Sequence, residues 1–274
     1  MSQNFFLVLV FGLCIGSFLN VIIYRLPRRK PYVLTRSQCT SCGKNLNVLD
    51  LIPVFSWVFL KGKCRYCDSP VSIRYPFVEL TTSILFLLSL ESSGWIDDTL
   101  PVEFCVVSGW ILFSYLIVLT FIDIDYTILP DSLTYSGSFV GFLLIFYYDN
   151  FINNSTDNLL LEHFYAYLTA FFGFILFSYI VKFIIKKPAL GSGDSKLFAM
   201  SGIWFGFEGL EVTITLSFLF SALFVLFGLI LKSIKRGQYI PFGPFICFSM
   251  FLVWFFGPHF WFNILGDIFW WKYI

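Results

Sequence analysis

The chain has 274 residues, of which 58% are hydrophobic and only 13% are charged, and its mean hydropathy is +0.80. Because a soluble domain carries about 25% charged residues, this composition excludes an ordinary water-soluble enzyme. The formal net charge of +1 hides a strong asymmetry of charge along the chain, and no nucleic-acid partner is expected.

Long uncharged runs dominate the sequence, and a helix needs roughly 20 such residues to cross a bilayer. Six runs cover residues 1–24, 104–122, 132–148, 164–181, 212–231 and 237–266. A seventh candidate covers residues 80–90, and an eighth, 197–207, reaches span length only if it begins near Gly193 and runs past Glu208. Runs of this kind suit helices rather than barrel strands. We therefore expect an all-α polytopic membrane protein with about eight transmembrane helices.

The basic residues indicate the orientation of these helices. If residue 1 lies outside, 17 of the 18 Lys and Arg residues fall in cytoplasmic loops, and only Lys272 lies on the other side. Acidic residues such as Glu103, Asp149 and Glu162 fall in the outer loops instead. By the positive-inside rule, both termini are predicted to be periplasmic.

The main polar region, residues 25–74, is then cytoplasmic and contains four cysteines. Two C-x-x-C pairs at this spacing can hold one tetrahedral Zn²⁺, and a module of about 50 residues needs such a staple because its own core is small. Gly43 suits the tight turn of a zinc knuckle. Disulfides are the alternative, which a reducing compartment disfavours. The predicted zinc ligands are Cys39, Cys42, Cys64 and Cys67.

Two groups of carboxylates lie at the cytoplasmic boundary of the predicted helices. The third span ends with Asp123, Asp125 and Asp131, and the sixth opens with Asp194. Charged groups at membrane depth are costly and are functional candidates by default. In an aspartic protease, one ionised carboxylate takes a proton from water while a protonated partner polarises the scissile carbonyl. The alternative is that these residues only cap and end helices, and residue chemistry leaves both interpretations open.

A resemblance favours the protease. The sequence Gly191-x-Gly193-Asp194 resembles the signature of GxGD intramembrane aspartyl proteases, and its continuation through Lys196 resembles the bacterial type 4 prepilin peptidases. The agreement extends along the chain in the order expected for that family. It covers residues 16–27, the two cysteine pairs, residues 74–80, residues 122–131 and residues 241–244.

The resemblance implies a membrane aspartic endopeptidase of the bacterial inner membrane. Its substrates would be type IV prepilins or type II secretion pseudopilins, cut at the cytoplasmic face, and membrane lipid would surround it. The implied catalytic pair is Asp123 and Asp194, with support from Gly191, Gly193, Lys196, Asp125 and Asp131. Asp125 is the rival of Asp123. Because residues two apart on a helix face different sides, at most one of them should point at Asp194, and we predict Asp123, which the resemblance implies.

The family commonly also methylates the new N-terminal amine with S-adenosylmethionine, and Glu79 is a candidate for that cofactor. The expected organisation is a first transmembrane helix (residues 1–24), the four-cysteine module (25–74) and a transmembrane aspartyl protease domain (75–274).

Two functions of other classes compete with this interpretation. A transporter whose membrane-edge carboxylates bind cations would predict acidic residues and broken helices near the middle of the membrane. A zinc-stapled scaffold without chemistry is the other, and intact catalytic motifs disfavour it.

Overall fold

The computed structural model describes residues 2–31, 35–91, 102–152, 158–186, 191–235 and 238–269. Over these residues the chain is almost entirely helical, and its strand pairing is limited to two isolated bridges. The prediction of an all-α fold is therefore confirmed. The α-helices are α1 (Ser2–Arg25), α2 (Phe55–Phe59), α3 (Arg74–Leu88), α4 (Val102–Tyr126), α5 (Asp131–Phe151), α6 (Leu159–Ile185), α7 (Ser192–Ile230), α8 (Gly243–Phe256) and α9 (Pro258–Phe269), with 3₁₀ turns at Val48–Leu51 and Ser89–Glu91.

Four of the described helices are long and apolar enough to cross a membrane. Their candidate spans are Phe5–Arg25, Glu103–Tyr126, Leu159–Ile184 and Ser192–Ile230. Helices α8 and α9, bent by 100° at their break, form a fifth if the pair is one span. The predicted number of eight is not confirmed and stays a prediction. One reason is that α3, at 15 residues, is shorter than a bilayer requires.

The described residues fall into two compact units, joined within α4. The first unit holds residues up to Glu91 together with Gly109–Phe121. In it, α1 and α3 run antiparallel at close range. A Cβ added to Gly12 would lie 2.6 Å from the Ser83 Cα, and one added to Gly16 would lie 2.7 Å from the Glu79 Cα. Small residues allow such an approach between membrane helices.

The second unit holds the rest of α4 and everything from Ile122 onward, and α7 lies at its centre. The Trp204 indole packs on Gly141 of α5 and donates a hydrogen bond of 3.0 Å to the Gly137 carbonyl. On another side, a Cβ at Gly202 would lie 2.8 Å from backbone atoms of Ala166 in α6. These contacts hold the first part of α7 between α5 and α6.

Helix α7 has a break at Gly206, where φ is 66° and ψ is −166°, a conformation open essentially to glycine alone. The regular bond from the Phe207 N–H to the Ile203 carbonyl is lost there. Phe207 instead donates to the Glu162 Oε1 at 2.7 Å, and the His163 Nδ1 donates to the Ile203 carbonyl at 3.0 Å. Two adjacent side chains of α6 thus replace both halves of one helical hydrogen bond.

This break changes the predicted boundaries of two spans. The sixth span was expected to run past Glu208 before a separate helix began at residue 212. The structure instead has one helix of 39 residues, divided at Gly206. Residues 192–205 form a first arm about 21 Å long at 1.5 Å per residue, and this arm carries Asp194.

Candidate active site

Asp123 lies in the last turn of α4, with its side chain inside the second unit. The residue is 4% exposed, and its Oδ2 accepts a hydrogen bond of 2.9 Å from the Gly243 N–H at the start of α8. Asp125 lies two residues further on the same helix and is exposed. The expectation that the two residues face different sides of a continuous helix agrees with this difference in burial.

Asp194 lies in the first turn of α7 and is also buried, at 8% exposure. Its Oδ2 accepts a hydrogen bond of 3.1 Å from the Gly191 N–H, and its own N–H donates to the Gly191 carbonyl at 3.1 Å. Asp194 is therefore the third residue of its helix, and its carboxylate caps the helix by binding the N–H of Gly191, the N-cap residue. Capping does not exclude chemistry, because a buried carboxylate held in one orientation is also what a catalytic site requires.

The two aspartates share one environment. The negative charge of Asp123 acts on the Asp194 carboxylate. Leu129, in the link between α4 and α5, lies between the start of α7, which carries Asp194, and the start of α8, whose Gly243 N–H binds Asp123. A Cβ on Gly193 would lie 2.9 Å from the Leu129 Cβ, and one on Gly243 would lie 3.2 Å from the Leu129 Cδ2. A side chain at Gly193 would overlap Leu129, whereas at Gly243 the closest atom is the Asp123 Oδ2, at 2.7 Å.

The link between α7 and α8 lies beside the same pair. Tyr239 in this link is largely exposed, yet desolvation of its hydroxyl, followed by the negative charges of Asp194 and Asp123, raises its pKa. Tyr239 therefore has a hydroxyl within electrostatic reach of both acids. It was absent from the residues that the sequence singled out, because tyrosine in a polar link carries no motif of its own.

Lys196 and Asp131 form an ion pair close to the start of α7. The Lys196 Nζ lies 2.5 Å from the Asp131 Oδ1 and 5.3 Å from the centre of the Tyr135 ring. Asp131 is the first residue of α5, where a negative charge is favourable, and Pro130 precedes that helix as its N-cap. This pair connects the starts of α5 and α7, so Lys196 and Asp131 stabilise the arrangement around Asp194.

The four predicted cysteine ligands lie together in the first unit. Their sulfur atoms are all within 4.8 Å of one another, and the Cys39 and Cys67 Sγ atoms are 3.9 Å apart. Ligands of a tetrahedral zinc with bonds of about 2.3 Å lie about 3.8 Å apart. Backbone N–H groups, first that of Cys42 and then that of Ser41, lower the pKa of Cys39 to about 6. The donor set therefore fits one metal ion.

The two cysteine pairs adopt the same turn. The Cys39 N–H donates to the Lys44 carbonyl and the Cys64 N–H to the Ser69 carbonyl, each at 2.9 Å. The fifth residue of each turn has a positive φ, 71° at Gly43 and 55° at Asp68. The expected turn at Gly43 is confirmed, and the second turn reaches the same conformation without glycine.

Glu79, the candidate for the cofactor, is 6% exposed and lies between α3 and α1. Its Oε2 accepts a hydrogen bond of 2.7 Å from the Val54 N–H. This contact joins Glu79 to the chain that begins α2.

Comparison with known families identifies the family of the chain. The sequence model described as the bacterial peptidase A24 N-terminal domain matches residues 10–92, and that of the type IV leader peptidase family matches residues 110–227. A prepilin leader peptidase/N-methyltransferase of Legionella pneumophila is 34% identical, with 90% of each chain covered. The chain belongs to the type IV leader peptidase family.

Other relatives carry the same description. The one from Myxococcus xanthus is 37% identical over 73% of this chain and 56% of its own length, and the one from Neisseria gonorrhoeae is 32% identical over 90% and 88%. No solved structure matches the chain. Family membership, with four helices suited to crossing a bilayer, makes the chain an inner-membrane protein.

Gly243 and Leu129 are site residues whose contacts the sequence did not reveal. Gly243 belonged to a late segment, residues 241–244, noted only for its resemblance to the family. A glycine between two prolines near a helix start is a recognisable signal of close backbone approach. Nothing in the sequence indicated that its N–H would meet Asp123, 120 residues earlier.

Proposed function

We propose that this protein is a membrane aspartic endopeptidase that removes the leader peptide of type IV prepilins or pseudopilins. Asp123 and Asp194 form its catalytic pair. The observation that carries this proposal is a pair of buried carboxylates from α4 and α7, each held by one backbone N–H, with Leu129 packed between the starts of α7 and α8. Its relatives are described as prepilin leader peptidases, which supports the substrate class.

The geometry supports a hydrolysis without a covalent intermediate. The ionised carboxylate removes a proton from a water molecule, whose oxygen attacks the scissile carbonyl carbon, while the protonated partner donates a hydrogen bond to the carbonyl oxygen. When the tetrahedral intermediate collapses, the C–N bond breaks and the leaving nitrogen takes up a proton. The backbone N–H groups of Gly191 and Gly243 hold the two carboxylates in place through this cycle.

The proposed topology places this chemistry at the cytoplasmic membrane face. Asp123 lies in the last turn of a candidate span and Asp194 in the first turn of another. With the cysteine module on the same side and both termini periplasmic, a substrate helix leaving the bilayer presents its backbone to the pair.

N-methylation of the new N-terminal amine is the proposed second activity, since the relatives are also described as N-methyltransferases. S-adenosylmethionine would supply the methyl group from its sulfonium, and Glu79 stays the candidate residue for binding it.

The first test uses the purified full-length protein and a prepilin peptide with a basic leader, a final leader glycine and an apolar helix. We expect a single cut after that glycine, and transfer of label from S-adenosylmethionine to the new amine, both followed by mass spectrometry. The control is the same peptide with valine in place of the glycine. If the glycine peptide stayed intact, the proposed peptidase activity would be contradicted. If it were cut but carried no label, only the proposed methyl transfer would be contradicted.

The module is proposed to hold structural zinc through Cys39, Cys42, Cys64 and Cys67. We expect about one zinc per chain by elemental analysis, and its loss in Cys64→Ser, because Cys64 is the buried member of the cluster and thiolate ligands carry most of the binding free energy. Cys14→Ser is the matched control, since Cys14 lies in α1 outside the cluster. Equal zinc in both variants would contradict the assignment.

The broken helix α7 is a feature that a transporter would also show. Its free backbone groups, however, are bonded to Glu162 and His163. With those groups engaged and the aspartate pair at a helix end and a helix start, hydrolysis is the function that the arrangement supports.

A further inference from the structure

The four-cysteine module carries an apolar surface that its overall composition conceals. Residues 48–59 include one charged residue, Asp50, which pairs with Arg65 at 2.6 Å. Trp57 is turned inward, and its Nε1 donates to the Val71 carbonyl at 3.0 Å. The outward residues are 41–82% exposed. These residues, here named the α2 surface, are Val48, Leu49, Leu51, Ile52, Phe55, Val58 and Phe59.

An apolar surface of this kind is unfavourable in water and indicates a partner. The position of α2 along the membrane helices identifies that partner. The candidate span in α1, Phe5–Arg25, has 21 residues. At 1.5 Å per residue it is about 31 Å long, close to the hydrocarbon thickness of a bilayer. Arg25 therefore lies at one edge of the membrane.

The depth of α3 residues in the membrane can be counted along α1 from Arg25, because the two helices pair in a regular antiparallel order. Gly12 lies against Ser83 and Gly16 lies against Glu79. Nearer the edge, the Asn20 Nδ2 donates to the Tyr75 carbonyl at 3.0 Å. Gly16 precedes Arg25 by nine residues, so the backbone of Glu79 lies about 13 Å inside the membrane edge.

The Val54 N–H donates a hydrogen bond of 2.7 Å to the Glu79 Oε2, so the start of α2 lies within the length of a glutamate side chain of the Glu79 backbone. A glutamate side chain is much shorter than 13 Å, so Val54 lies on the membrane side of Arg25 even when the side chain extends toward the edge. Val54 has a φ of 60°, which is rare for a β-branched residue. Such a conformation persists where the surrounding contacts hold it.

The surroundings of the α2 surface fit a lipid environment. Helix α3 also exposes large apolar side chains, among them Phe77, Leu80 and Ile84. The chain that follows α2 carries Lys61, Lys63 and Arg65, and clusters of basic residues are attracted to anionic headgroups. Apolar side chains below basic ones are the pattern of a segment that lies in a membrane interface.

We propose that residues 48–59 lie in the membrane interface, with the α2 surface covered by acyl chains of the leaflet in which α1 ends. The four-cysteine module is then a membrane-lying element rather than a solvated loop. A Cβ at Gly62 would lie 3.0 Å from the Trp57 ring, and Cys64 follows two residues later. The metal site is thereby held at the lipid surface.

Site-specific photo-cross-linking tests this placement in the full-length protein. Benzoylphenylalanine replaces Phe59 or, as a second position on the same surface, Phe55; both exchanges retain an aromatic ring. The control position is Lys44, exposed in the first cysteine turn. Each protein is irradiated in nanodiscs of phosphatidylethanolamine and phosphatidylglycerol, and adducts are identified by mass spectrometry.

We expect phospholipid adducts at positions 59 and 55, about tenfold more abundant than at position 44, because acyl chains surround an interfacial apolar face. Lipid adducts at position 59 no more frequent than at position 44 would overturn the proposal. The proposal would also be overturned if both aromatic positions cross-linked mainly to a second copy of the chain or to an added prepilin, since a protein would then cover the surface.

Discussion

Replacing Asp123 or Asp194 by asparagine is expected to reduce prepilin cleavage by on the order of 10³-fold or more, since proton transfer by a positioned group contributes up to about 10⁴-fold. Asparagine keeps the shape of the side chain and an oxygen that accepts the Gly243 or Gly191 N–H. It cannot exchange a proton with water. The loss should therefore appear in kcat, measured with the prepilin peptide, while the protein still folds.

Asp125→Asn is the matched control, because Asp125 lies on the same helix two residues from Asp123 and is exposed. We expect its cleavage rate to fall far less than that of Asp123→Asn, because the Asp125 carboxylate is exposed and lies on a different side of α4. Loss of cleavage in Asp125→Asn with retention in Asp123→Asn would exchange the roles of the two residues. Retention of cleavage in both variants would show that neither aspartate is catalytic.

The chemistry-bearing residues could be predicted from sequence because their spacing is local. Cys39-x-x-Cys42 and Cys64-x-x-Cys67 form two turns with the same hydrogen bonds, and each turn is determined by residues within it. The choice of Asp123 over Asp125 rested on the resemblance, and helical phase added that at most one of the two faces Asp194, because α4 continues unbroken through both. Asp194 was recognised by its glycines, and the structure assigns Gly193 a contact with Leu129 that the sequence did not reveal.

Features that depend on distant partners were not predictable in the same way. The break at Gly206 relies on Glu162 and His163, which lie more than 40 residues earlier, and the sequence assigned Glu162 only to an outer loop. A single long apolar pattern across residues 197–231 does not show where such a break falls. The number of spans depends on these breaks, so counting apolar runs alone does not settle it.

The cysteine module shows a second limit of composition. Its ten basic residues led to the description of a polar cytoplasmic loop. The average composition of the module conceals the apolar segment 48–59. The apolar character of the segment is recognisable when its 12 residues are considered by themselves, since 11 of them are uncharged. Its depth in the membrane still required the contact between Val54 and Glu79.

Gly243→Ala is expected to lower kcat for prepilin cleavage by on the order of 10²-fold, the scale of a 1 Å misplacement of a catalytic group. The new Cβ would lie 2.7 Å from the Asp123 Oδ2 and 3.1 Å from its Cγ, so the carboxylate must move and its bond to the Gly243 N–H must lengthen. KM should change little, because the substitution acts on the carboxylate and adds no contact with substrate.

Gly173→Ala provides the matched control for this experiment. Gly173 lies in α6, and a Cβ there meets nothing within 4 Å. It should leave kcat unchanged and, as an exposed helical glycine replaced by alanine, slightly raise the thermal stability. Equal kcat values for the two variants would show that the Gly243 backbone does not orient Asp123. A fall confined to Gly243→Ala, at an unchanged KM, would instead identify the start of α8 as the third element of the site, beside the end of α4 and the start of α7.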